Sequence, residues 1–212
     1  MNQKFTDIKY CIWDVDLTFY TVSPQMKKEF KNKIYEYLSQ KLKIPIGEAK
    51  QKYEEELKKR KSKTATLEAF GLGKYAIQEV IDSIDKNRYL KKDPRLIQLF
   101  KNLKHYKHAI VTNSTKNSVN KTLKILGLKK SFFETIITKE DVNHYKPSPE
   151  PFIKIVEIFR TKAEKCVSIG DVDYSDIIPA KKLGMKTIFV WGKSKYADES
   201  VLTIYEVEKL LM

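Results

Sequence analysis

Asp14 and Asp16 are the residues best placed to do chemistry in this chain of 212 residues. They follow an apolar run that begins at Ile8 and passes through Tyr10-Cys11-Ile12-Trp13, and Thr18, Phe19 and Tyr20 come close behind. The run is bounded, bulky and too short for a helix, so it reads as a buried strand. Asp14 then stands at the strand's carboxyl end, where open α/β sheets bind ligands. Two carboxylates this close repel each other unless a cation or a proton compensates. The pair therefore points to a divalent-metal site with one carboxylate left for chemistry. Asp-x-Asp is also ordinary turn chemistry at a strand end, so the reading depends on what other strand ends bring to the same edge.

Later segments supply those groups. A strand predicted over His108 to Asn113 ends in Thr112-Asn113-Ser114. A short one over Phe133 to Thr138 leads into Lys146-Pro147, and one over Lys165 to Asp171 ends in Gly170-Asp171, with Asp173 and Asp176 beyond. A last strand is predicted over Lys186 to Trp191. Helical patterns alternate with them: from Pro94, capped by Asp93, to about Leu103; Lys116 to Leu126, stopped by Gly127; Ser148 to Arg160; Ser175 to Leu183, stopped by Gly184; and Ser200 to Leu211. This alternation implies an α/β, Rossmann-like three-layer core with a mostly parallel sheet. All the strand ends then share one edge, where carboxylates, a hydroxyl and an ammonium converge. That set suits a phosphate and a magnesium ion, because Mg²⁺ prefers a few carboxylate oxygens plus waters and substrate phosphate.

Residues 21–90 have a different texture. Gln25 to Lys41 carries Met26, Phe30, Ile34, Tyr37 and Leu38 at helical spacing, and Ile44-Pro45-Ile46-Gly47 interrupts it. Glu48 to Lys61 is helical again, Ser62-Lys63-Thr64 reads as a loop with Thr64 capping a helix through Phe70, and Tyr75 to Arg88 is a further helix. The expected organisation is a core of residues 1–20 and 91–212 with a helical insert at 21–90.

The net charge is +14, with 42% hydrophobic and 32% charged residues, as in a globular protein. The lysines are spread over helix faces, so a solvated surface is expected rather than a nucleic-acid patch, the run Lys52 to Lys63 included. No apolar run is long enough to cross a bilayer, and Met1 to Tyr10 lacks a signal-peptide core; a cytoplasmic protein is expected. Cys11 and Cys166 fall in predicted strands and read as buried free thiols. His105, His108 and His144 are read as surface residues or as supports behind the site.

Asp14-Val15-Asp16-Leu17-Thr18, Thr112-Asn113-Ser114, Lys146-Pro147 and Gly170-Asp171 through Asp176 stand in the order of the four motifs of the haloacid dehalogenase (HAD) superfamily, and the chain resembles its phosphohydrolases over essentially its whole length. The resemblance implies that Asp14 is the nucleophile and forms an aspartyl phosphate, while Asp16 protonates the leaving oxygen and then deprotonates water. It places Mg²⁺ on Asp14, Asp16 (through its backbone carbonyl) and Asp171, with Asp176 supporting the metal or steadying Lys146. Thr112 and Lys146 bind the phosphoryl group and Asn113 shapes that loop. The insert resembles the cap of the C1 class. A carboxylate at Asp16 favours phosphate-ester hydrolysis, since the dehalogenase and phosphonatase branches lack one there.

The opening through Phe19-Tyr20 is similar to that of pyrimidine 5′-nucleotidase-like members, which makes Phe19 and Tyr20, with Phe70, candidates for stacking on a base, against the alternative that they pack in the hinge or in the core of the insert. The expected partner is a small phosphomonoester, and a nucleoside 5′-monophosphate is the first candidate. Neither membrane nor nucleic acid is expected, in a monomer or a homodimer. The alternatives are a phosphoglycolate or sugar-phosphate phosphatase, a sugar phosphomutase, and, from another class, a catalytically idle basic binding module.

Overall fold

A computed structural model of the chain describes residues 3–60, 63–73 and 75–212, with the side chains of Gln3 and Thr64 outside that description. Two units emerge, one made of the chain through Thr21 together with Leu90–Met212, the other of Val22–Tyr89.

The Val22–Tyr89 unit is helical. α1 (Pro24–Leu42) starts cleanly because Ser23 accepts a hydrogen bond from the Met26 amide and Pro24 fits the first turn. It ends at Lys43, whose backbone is left-handed. α2 (Ile46–Arg60), α3 (Lys63–Ala69) and α4 (Ala76–Asp82) follow. Ile34, Leu38, Ala49, Tyr53, Leu67, Ala76 and Val80 form a shared core, with Phe30, Phe70 and Ile77 partly buried against it. Phe70 is thus a packing residue of this unit. The lysine-rich face of α2 pairs within itself, Lys52 with Glu48 and both Lys59 and Arg60 with Glu56, as a solvated helix face does. Lys63 opens α3 instead of lying in a loop. The expected Ser62 loop position and the Thr64 cap lie outside the described residues and side chains. The predicted helix over Tyr75 to Arg88 stops at Asp82, and a separate 3₁₀ turn, Lys86–Arg88, is capped by Asp85.

The other unit is built on six parallel strands: β1 (Tyr10–Trp13), β2 (Lys107–Val111), β3 (Thr135–Ile137), β4 (Cys166–Gly170), β5 (Lys186–Val190) and β6 (Glu199–Val201). Their order is β3-β2-β1-β4-β5-β6. The topology reverses between β1 and β4, which is where a doubly wound sheet opens a crevice at its carboxyl edge. The helices are α5 (Pro94–Asn102), α6 (Lys116–Leu126), α7 (Glu150–Ile158), α8 (Ile178–Lys182) and α9 (Val207–Leu211).

Strand alternation divides the core into two layers. Ile12, Ala109, Val111 and Cys166 pack with Phe152 and Ile155 of α7. Trp13 points the other way, into an aromatic cluster with Phe19, Phe100 of α5 and His108. His108 is only 3% exposed. The expectation of a surface or supporting histidine is therefore corrected: it alternates with Ile110 on the inner face of β2. The Trp13 indole donates to His108 Nδ1 at 3.0 Å. An indole only donates, so Nε2 carries the proton and donates to the Leu103 carbonyl, also at 3.0 Å. Burial lowers this imidazole's pKa to about 4.

Two other expectations change. The stretch read as one helix over Ser200 to Leu211 contains β6, a 3₁₀ turn (Ile204–Glu206) and α9. Its first residues pair with β5, and Asp198 accepts hydrogen bonds from the Thr187 amide and hydroxyl just before that strand. The helix predicted from Ser175 begins instead as a π turn at Asp173–Ile177. Both cysteines are free and buried. Among the described residues no helix is long and apolar enough to cross a membrane.

Candidate active site

β1 sits between β2 and β4, with Trp13 level with Ile110 on one side and Ile169 on the other. Asp14 is the next residue, and its amide donates to the Ile169 carbonyl at 2.9 Å. The ladder thus fixes its backbone at the strand-order reversal. Leu17 has a φ of 65°, so the chain turns sharply through a left-handed residue directly after Asp16. That conformation is costly for a branched side chain and favours glycine or asparagine.

Lys146 is 4% exposed. Its Nζ donates to Asp14 Oδ1 at 2.7 Å and to Asp176 Oδ1 at 2.6 Å. Burial opposes its charge, but Asp14 and Asp176 outweigh that and hold the ammonium above its ordinary range. Lys146 is joined to Pro147 by a cis peptide bond, and its carbonyl accepts from Asn113 Nδ2 at 2.8 Å. Asn113 thereby ties the end of β2 to Lys146, while its Oδ1 is buried without a partner among the described residues.

Asp176 is seated by the π turn. Its backbone amide donates to the Val172 carbonyl, its Oδ2 accepts from the Val172 amide at 3.0 Å, and its carbonyl accepts from Ser168 Oγ at 2.9 Å. The seat depends on Gly170, where an added Cβ would lie 2.4 Å from Asp176 Cβ. Asp171 reaches Asp14 through Thr18, whose Oγ1 lies 3.1 Å from Asp14 Oδ2 and 3.0 Å from Asp171 Oδ1. Thr18 is itself fully buried, and its carbonyl accepts from the Trp191 indole at 2.9 Å.

Asp14, Asp171 and Asp176 each offer a carboxylate oxygen, and these atoms lie within 4.8 Å of one another. Burial, then the neighbouring carboxylates, pushes Asp171 up; burial likewise raises Asp14 despite Lys146. Lys146 offsets one of the three negative charges and leaves the rest to a proton or a cation. Asp171 Oδ2 has no hydrogen-bond partner among the described residues, so it is the oxygen most ready to take a cation. An all-oxygen donor set of this kind fits Mg²⁺.

The Asp16 carboxylate stands apart from that trio, which leaves the expected role of its backbone carbonyl untouched. Its Oδ1 accepts from the Tyr20 hydroxyl at 2.6 Å and its Oδ2 accepts from Ser114 Oγ. Ser114 is fully buried, and its amide donates to Thr112 Oγ1 at 3.2 Å. Thr112, at the end of β2, keeps its own hydroxyl proton to donate. Phe19 is fully buried between Trp13, Phe100 and Phe133, so the expectation that it stacks on a substrate is corrected. Tyr20 is 6% exposed and meets Asp16 through its hydroxyl. Asp173 also lies outside the carboxylate trio and accepts from Ser194 Oγ. Sequence reasoning did not assign roles to Thr18, Ser114 or Gly170. The signal for the first two was a hydroxyl two residues beyond an already selected residue, Asp16 or Thr112.

Comparison with known proteins gives the family. The chain is 40% identical over 108 residues to the pyrophosphatase PpaX of Anoxybacillus flavithermus, a match covering 51% of this chain and 48% of that protein. The chain thus spans about half the length of the curated relatives it matches. The crystal structure of a HAD phosphatase from Thermococcus onnurineus superposes with a TM-score of 0.68 at 29% identity, covering 96% of this chain and 98% of that one. The L-2-haloacid dehalogenase of Xanthobacter autotrophicus shares the fold, with a TM-score of 0.59 at 15% identity over 96% of this chain and 98% of that one. The model of the haloacid dehalogenase-like hydrolases matches residues 11–190. Since that match runs from Cys11 in β1 to the last residue of β5, the chain belongs to the haloacid dehalogenase-like hydrolase family.

Proposed function

We propose that the chain is a Mg²⁺-dependent phosphomonoester hydrolase that works through an aspartyl phosphate on Asp14. In the first half-reaction an Asp14 oxygen attacks phosphorus, the bond to the leaving oxygen breaks, and Asp16 gives that oxygen a proton. In the second, water attacks phosphorus, gives a proton to Asp16, and the Asp14–phosphoryl bond breaks to release phosphate. Asp14, Asp171 and the Asp16 carbonyl hold the cation, with Asp176 behind them. Bound Mg²⁺ neutralises charge on the phosphoryl oxygens. Lys146 and Thr112 donate to those oxygens, and Asn113 holds the Lys146 backbone. Uncatalysed phosphate-monoester hydrolysis is slow enough to demand up to ~10²¹-fold acceleration, which is why so many preorganised charges are needed.

The observation that carries this reading is the bridge from Asp14 through the buried Lys146 to Asp176, with Asp171 linked to Asp14 by Thr18. A carboxylate at Asp16 favours an ester over a haloacid. The Val22–Tyr89 unit serves as the cap that selects the substrate, and a nucleoside 5′-monophosphate is the leading candidate. A second reading, inorganic pyrophosphate, is favoured by similarity to a protein named as a pyrophosphatase and by the burial of Phe19, which leaves one ring fewer for a base. The test is phosphate release from nucleotides, phosphoglycolate, sugar phosphates, p-nitrophenyl phosphate and pyrophosphate, with Mg²⁺ or EDTA, for wild type and Asp14→Asn. Metal-dependent release lost in the variant supports the class. Release by Asp14→Asn at the wild-type rate would overturn it.

A further inference from the structure

We infer that Tyr20 and Ser114 are positioning residues for proton transfer by Asp16, an inference that rests on the reading of Asp16 just proposed. Asp16 hangs on a turn that begins after a four-residue strand and passes through the left-handed Leu17. Two hydroxyls from different parts of the sheet edge hold its carboxylate. Tyr20 comes from four residues along the same loop, and Ser114 from the end of β2, 98 residues away. Each takes a different carboxylate oxygen, so rotation about the last side-chain bond breaks both contacts at once.

Both donors are themselves fixed. Tyr20 is 6% exposed and Ser114 is fully buried. The Ser114 amide is held on Thr112 Oγ1, and Thr115 next to it caps α6 by accepting from the Ser118 amide. Each carboxylate oxygen has two lone pairs. One per oxygen goes to the clamp. The clamp thus fixes the plane in which the carboxylate gives and takes its proton. Misplacing a catalytic group by about 1 Å is enough to cost ~10²-fold.

A group that acts through a general acid leaves a particular signature. An alkyl leaving group needs its proton in the phosphoryl-transfer step, whereas p-nitrophenolate leaves without one. The experiment is kcat/KM, which reports steps through aspartyl-phosphate formation, for p-nitrophenyl phosphate and for the alkyl phosphomonoester hydrolysed fastest by the wild type. Tyr20→Phe, Ser114→Ala and Ser114→Thr are compared at saturating Mg²⁺. For Tyr20→Phe and Ser114→Ala the alkyl ester is expected to lose about 10-fold or more, and the aryl ester less than about 3-fold. Ser114→Thr, which keeps a hydroxyl, loses less than Ser114→Ala on the alkyl ester. In an Asp16→Asn background, Tyr20→Phe adds no further alkyl-specific loss, because the group it aims is gone. Equal losses on both esters, or no loss on either, would overturn the inference. Thermal melts identify a variant that fails to fold, and the other clamp residue then decides. Asp14→Asn, run beside them, separates the two claims: if it keeps turning over the aryl ester the hydrolase reading falls, and if it is inactive while Tyr20→Phe shows no leaving-group preference only the clamp falls.

Discussion

Lys146 Nζ lies 2.7 Å from Asp14 Oδ1, although 132 residues separate them in sequence and Lys146 is 4% exposed. With Asp176 on its other side, the ammonium is the cation that lets two carboxylates share a buried place. Removing one partner of such a group leaves uncompensated charge. Lys146→Met should destabilise the protein in EDTA at neutral pH by roughly 3 kcal/mol and abolish turnover. Adding Asp176→Asn to that variant should recover part of the stability but none of the activity. Both tryptophans, Trp13 and Trp191, lie in the sheet unit, so denaturant unfolding followed by their fluorescence reads it directly. Unchanged stability in Lys146→Met would remove the charge-compensation argument.

The separation of Asp16 from the carboxylate trio makes a second prediction. Asp171 Oδ2 is open, whereas both Asp16 oxygens are occupied by hydroxyls. Titration calorimetry with Mg²⁺ should therefore show affinity falling more than about 10-fold in Asp171→Asn, as loss of a direct ligand exceeds the loss of a supporting one. Asp16→Asn should stay within about 2-fold of wild type, since the residue's backbone carbonyl is untouched. Equal weakening by the two substitutions would place the Asp16 side chain on the metal after all.

Gly170 is required by contact rather than by backbone angle. A methyl group there meets Asp176 Cβ at 2.4 Å and Cγ at 2.6 Å, and Asp176 is anchored by Lys146, Val172 and Ser168. Gly170→Ala must push Asp176 off that seat. The expected cost is about 1–3 kcal/mol of stability, typical of overpacking, together with a drop in kcat of more than about 10-fold as Lys146 loses its second anchor. Full activity at wild-type stability would mean that Asp176 moves freely and has no positioning role.

The strand ends were legible because an apolar run that stops at polar residues marks both an element and its exposed edge. Asp14, Lys146, Asp171 and Asp176 followed from that logic. What lay beyond it depended on side-chain direction within turns. Leu17 turns the chain with a positive φ, which sends Thr18 back to Asp14 and Asp171 and sends Phe19 into the core. Residue type alone does not separate a ring that packs from a ring that stacks on a ligand. Sheet residues Glu199–Val201 were missed because three residues carry no period, and pairing with β5 is a tertiary contact. His108 was misplaced for the opposite reason. Its alternation with Ile110 was visible, but a polar residue in a core slot is recognised only with its partners, Trp13 and Leu103, beside it.

That buried histidine yields the last prediction. Its pKa is about 4 in the folded protein against an ordinary value of 6.5, chiefly because burial disfavours the charged ring. A lowered folded-state value means that the unfolded chain binds the proton first as pH falls. The stabilisation is therefore complete above about pH 6.5 and is lost progressively down to about pH 4. At ~1.4 kcal/mol per pH unit, moving from pH 7.5 to pH 5 should cost roughly 2 kcal/mol through this residue. In His108→Gln the amide oxygen replaces Nδ1 as acceptor for the Trp13 indole, and the amide nitrogen replaces Nε2 as donor to Leu103, with no titration in the range. Urea unfolding read by tryptophan fluorescence should show wild type losing roughly 2 kcal/mol more than His108→Gln between those two pH values. Parallel losses would mean that His108 is protonated as readily in the folded protein as in the unfolded chain, and that the Trp13–His108–Leu103 chain of hydrogen bonds does not hold the ring neutral.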